Sequence, residues 1–106
     1  MANIQINFTD PSTGANSPNS YWTIASANLN TNTNLCDVVL SGYFSQTVKN
    51  NGLNPTNIAR YTIPFASLGI TNSMTIGQLQ NAILNYATGA TENTTGIVLL
   101  AGGTVN

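Results

Sequence analysis

The sequence predicts a mainly β chain with one α-helix, an α+β domain covering residues 1–106. The expected architecture is a small antiparallel sandwich or partly open barrel, with the helix at about 75–88 packed on one face or end. Three observations predict it. Apolar and polar residues alternate with a period of two in several short segments. Clusters of Asn, Gly, Pro and Ser separate those segments. One later stretch switches to helical spacing and carries a complete helix-start signal.

The elements follow in order. In NIQINFTD, Ile4, Ile6 and Phe8 face one way and Asn3, Gln5, Asn7 and Thr9 the other, a half-buried strand. DPSTGANSPNS, Asp10 to Ser20, is rich in turn residues and reads as a loop. YWTIASANL is a second strand. Trp22 and Ile24 share one parity, Ala27 and Leu29 the other, which predicts a bulge near Ala25 or Ser26. Asn30 to Asn34 reads as a turn. CDVVLSGYFSQTV follows as a third strand with apolar residues on both faces, hence central or covered. KNNGLNPTN is a loop in which Asn51-Gly52 marks a turn. IARYTIPF is a fourth strand, and Pro64 places it at an edge or ends it there.

MTIGQLQNAILNYATG carries the helix. Thr75 and Gln78 make a capping box, and Met74 with Leu79 makes a hydrophobic staple. Ile76, Leu79, Ile83 and Tyr86 form one stripe, widened by Leu84 and Ala87, and Gly89 is placed to end the helix. The apolar run Ile97–Leu100 predicts a last strand buried on both faces.

Composition excludes several functions. Only 5% of the residues are charged, against roughly 25% in an ordinary soluble domain. The charges are Asp10, Asp37, Lys49, Arg60 and Glu92, scattered singly, with a net charge of -1. Two separated cations cannot form the basic patch that nucleic acid or an anionic membrane requires. No apolar run reaches the roughly 18 residues of a spanning helix. MANIQINF has neither the basic nor the apolar region of a secretory signal, so synthesis in a cytoplasm is expected.

Catalytic chemistry has little to stand on. There is no His, and the three carboxylates show no paired spacing. Cys36 is the only cysteine and reads as a small core residue with no base to activate it. Asp10 reads as an Asx-turn residue. No enzyme activity, metal or cofactor is therefore expected. The sequons at Asn7 and Asn93 are expected by chance in a chain this rich in Asn and Thr.

The choice of amides and hydroxyls over charges has a physical reading. A Lys or Glu buried without a partner costs several kcal/mol. An Asn or Thr at a subunit contact can be satisfied by a neighbouring backbone or amide, and interface cores are depleted in charge. The expected contacts are Asn30, Thr31, Asn32, Thr33 and Asn34, then Asn50, Asn51, Asn54 and Asn57, and the N-terminal strand through Ile4 and Ile6. The alternative is a lectin-like carbohydrate-binding module with an aromatic platform drawn from Tyr21, Trp22, Tyr43 and Tyr61. Trp22 reads first as a core residue in a domain of this size.

The Cys-poor chain opening MANIQINFTD, with strands interleaved by Asn, Thr and Ser and Gly-rich ends, resembles small virion structural proteins of tailed bacteriophages. Capsid decoration proteins and tail or fibre components are of this style. The resemblance implies a virion location and partners that are copies of the chain or other virion proteins. It assigns no functional residue.

Overall fold

Alternation commits one face of each strand to the interior, and strand pairing brings those faces together. In the computed structural model, which describes residues 2–106, the strands are β1 (Ile4–Thr9), β2 (Asn16–Asn30), β3 (Leu35–Tyr43), β4 (Asn57–Pro64) and β5 (Thr104–Val105). They form one five-stranded antiparallel sheet in the order β4-β3-β2-β1-β5. The helices are α1 (Gln46–Asn50), α2 (Phe65–Leu68) and α3 (Ile76–Ala87).

The core lies on one face of the sheet. Ile4, Phe8, Trp22, Val38, Leu40, Ala59, Tyr61 and Ile63 point into it, and Ile83, Leu84 and Ala87 of α3 close it from the other side with Leu68 and Leu100. Trp22 is 0% exposed and meets Phe8 edge-on, with ring centroids 5.2 Å apart. The second layer is thus helical. The described residues contain one sheet and not a sandwich, and three helices where one was expected.

The parity switch in β2 is a bulge: pairing with β3 runs Ile24↔Leu40 and then Ser26↔Val39, leaving Ala25 extra. The capping box forms as expected, with Gln78 N–H donating to Thr75 Oγ1 at 3.1 Å and Thr75 N–H donating to Gln78 Oε1 at 2.9 Å. Pro64 ends β4, which is an edge strand, and β3 is central.

Four expectations are corrected. The Asp10–Ser20 loop is shorter, because β2 already begins at Asn16; Pro18 sits in a second bulge, where its missing N–H is harmless. The third strand stops at Tyr43, where Ser45 caps α1 by accepting from Val48 N–H at 3.3 Å. Ile76 leaves the buried stripe and is 76% exposed. The run Ile97–Leu100 is not a strand; Gly96 and Gly102 take φ of +70° and +82°, and only Leu100 of the four is buried.

Candidate functional site

The neutral strand edges are the candidate site, and strand lengths create them. β2 is 15 residues long, but β1 pairs with it only from Asn16 to Trp22. Among the described residues the distal part, Ala25–Asn30, has β3 on one side and no paired strand on the other, and all of its side chains are exposed. Its backbone orientation follows from β4. The Arg60 N–H donates to Glu92 Oε2 at 2.8 Å and its carbonyl accepts from Asn93 N–H at 2.8 Å, so Arg60 faces away from β3. Its partner Val39 must then face β2 and bond with Ser26. Alternation turns the N–H and C=O of Ala27 and Leu29 outward.

The core-side flank of this edge is apolar. Leu29, 43% exposed, shares a recess of about 230 Å³ with Ile70, Met74, Ile76 and Leu79. The segment contains no charge and no proline, two of the devices that ordinarily guard a strand edge.

A second open edge lies on β1. Asn3 and Asn106 exchange backbone bonds of 3.2 and 2.9 Å, but β5 reaches no further than Gln5. Asn7 and Thr9 therefore also face outward unpaired by a strand. Beside them a recess of about 440 Å³ is lined by uncharged groups, among them Gln5, Asn7, Asn19, Gln46 and Thr47.

The expected contact residues divide. Asn30 and Asn34 build their own turn: Asn30 Oδ1 accepts from Asn32 and Thr33 N–H at 3.0 and 3.3 Å, and Asn34 takes a φ of 56°. Thr31, Asn32 and Thr33 are exposed at the tip. Asn50, Asn51 and Asn54 are exposed at the opposite end of β3, roughly 25 Å away along the strand. Asn57 is half-buried and donates to Asp10 Oδ2 at 3.1 Å. Ile4 is corrected: its side chain is fully buried and its backbone is flanked by β2 and β5. Ile6 is half-buried.

The aromatic platform does not form. Trp22 and Tyr61 point into the core, and Tyr21 is buried on the opposite face. Tyr43 is half-buried, with the Lys49 ammonium 5.6 Å above its ring. Core packing consumes Trp22 and Tyr61, and the strand register sets Tyr21 and Tyr43 on the other face of the sheet.

The charges are largely engaged internally. Asp10 accepts from Ser12 N–H and Oγ and from Asn57, which holds its carboxyl down at about 2. Asp37 accepts from Thr62 Oγ1 at 3.2 Å. Glu92, 1% exposed, is the group sequence reasoning missed. Burial pushes its carboxyl up, but the backbone N–H groups of Arg60, Thr95 and Thr94 outweigh that and hold it below the usual range. Burial pushes the Cys36 thiol up. Among the described residues, no group of three or more His, Cys, Asp or Glu is placed to hold a metal ion, and no helix is long and apolar enough to cross a membrane. No protein-family model matches the chain, and comparison with curated proteins and with solved structures finds no significant match.

Proposed function

We propose that this chain is a non-enzymatic structural subunit that docks onto copies of itself or onto neighbouring subunits of a large assembly. A bacteriophage particle, through a capsid-decoration or tail role, is the assembly its sequence style implies. The observation that carries the reading is the open distal edge of β2, where an uncharged strand offers outward backbone groups beside an apolar recess. Strand addition to such an edge draws affinity from main-chain hydrogen bonds and specificity from side-chain pockets.

The charge pattern supports the same reading. Asp10, Asp37 and Glu92 serve the chain's own hydrogen bonds and Lys49 covers Tyr43. Apart from Arg60, whose side chain is exposed on β4, the surface left for neighbours is amide, hydroxyl and apolar, which limits the burial of unpaired ions on assembly. Light scattering on a size-exclusion column tests this, over about 1 to 100 µM, a span that brackets weak to moderate association. A discrete oligomer is expected; a monomer at every concentration overturns self-docking.

A further inference from the structure

We propose that the distal edge of β2 pairs with the same edge of a second copy, antiparallel about a two-fold axis through Asn28, joining two sheets into one. This rests on the assembly reading above and names its first contact.

Backbone geometry favours the second copy. The outward groups are the N–H and C=O of Ala27 and Leu29, two residues apart. An antiparallel copy in the register Ala27 opposite Leu29 satisfies all of them at once, and the reciprocal pair follows from the symmetry. In that register Asn28 of one copy stands opposite Asn28 of the other, in a non-hydrogen-bonded pair.

Side chains fit the same register. The residue on the two-fold axis stands beside its own copy, so a charge there would face a like charge. Asn28 is an amide, which both donates and accepts and can pair with itself. On the core side, Leu29 comes to lie opposite the small Ala27 of the copy, over the recess that Ile76 and Met74 border. The other open edges are poorer hosts. The middle of the β4 edge is taken by Glu92 and Asn93 at Arg60, and the free part of the β1 edge is shorter. Pairing β2 with either would be head-to-tail, giving a ring or an open filament and not a two-fold pair.

The test compares wild type with Asn28→Asp, Asn28→Cys and Asn54→Asp by light scattering. Asn28 and Asn54 are exposed, and circular dichroism checks that each variant is folded. Asn28→Asp is expected to weaken association by roughly tenfold or more, since each new carboxylate would face its copy across the axis and stand beside Asp37 of its own chain. Asn54→Asp, at the far end, should leave it unchanged. Opposite residues of a non-hydrogen-bonded pair lie within disulfide reach, so Asn28→Cys should oxidise to a covalent dimer while the buried Cys36 stays reduced. An oligomer unaffected by Asn28→Asp, or one that Asn28→Cys does not crosslink, overturns this inference and leaves the assembly reading with another surface. A wild type that is monomeric throughout overturns both.

Discussion

The indole of Trp22 lies over Gly42 of the neighbouring strand so closely that a Cβ there would stand 2.6 Å from three of its ring carbons. Glycine is required at 42 because the ring occupies the space of its side chain, and that placement lets β3 and β2 share one core layer. Gly42→Ala is expected to lower stability by about 1–3 kcal/mol, the range for overpacking a filled core. Gly89→Ala, with nothing within 4 Å of its added carbon, should stay within about 0.5 kcal/mol of wild type, as surface changes do. Urea unfolding followed by Trp22 fluorescence measures both, and equal effects would remove the packing argument.

Local rules made much of this legible. Ile4, Ile6 and Phe8 announced β1, the parity change between Ile24 and Ala27 announced the bulge, and Thr75 with Gln78 announced α3. The misses have long-range causes. Ile97–Leu100 looks like a buried strand until Glu92 is seen to bind a backbone N–H 32 residues away and gather the loop around itself. Ser45 outweighs the β-propensity around it by one capping bond. Of the candidate site, amide-rich composition was legible, but the open edge depends on β2 outlasting β1, a difference in strand length that periodicity does not encode.

The cap at Thr75 gives a second stability test. Its hydroxyl and the Gln78 side chain satisfy each other's backbone donors. Thr75→Ala is expected to cost about 1 kcal/mol, and Thr75→Asp, which keeps an acceptor at the helix start, should recover most of it. No difference between the two variants in denaturant midpoint would mean that packing alone holds this end of α3.

Acid stability should depend on two carboxylates. Asp10 falls from 3.8 to about 2 on folding and Glu92 also falls. A lowered folded value means stability present above the unfolded value and lost as pH drops through the folded one. Stability should therefore decline from near pH 4 towards pH 2, and Asp10→Asn should flatten part of that decline. With no His in the chain, no side chain introduces a comparable step between about pH 5 and 8. Midpoints for wild type and Asp10→Asn across this range check it; a parallel fall in both would remove Asp10 from the account.

Glu92, buried and bonded to backbone, gives a further stability test. Its two oxygens accept from Arg60 and Thr95 N–H at 2.8 and 2.7 Å. Glu92→Gln keeps the shape but replaces one acceptor with a donor, leaving a backbone N–H facing an NH₂. The expected loss is about 1–3 kcal/mol, the cost of a buried group left unmatched. Amide hydrogen exchange gives the local signature: protection should fall at Arg60 or Thr95 before it falls at Leu40 in the central strand. A uniform loss across the sheet would show that Glu92 acts through global stability and not as the clasp of the β4 edge.

Tyr61 makes the opposite prediction. Its ring fills the core opposite Val38, but its hydroxyl is buried with no hydrogen-bond partner among the described residues. Burial, with the Glu92 charge adding to it, pushes the phenol up to about 12, so the hydroxyl stays neutral at any working pH. A buried hydroxyl without a partner is a desolvation cost that its ring does not need to bear. Tyr61→Phe removes the oxygen and keeps the packing, so the denaturant midpoint should hold or rise, where a bonded tyrosine would lose stability. A clear fall would mean that the hydroxyl is satisfied in solution, through a bridging water or a shifted Glu92, and the two groups would then have to be treated as one polar unit.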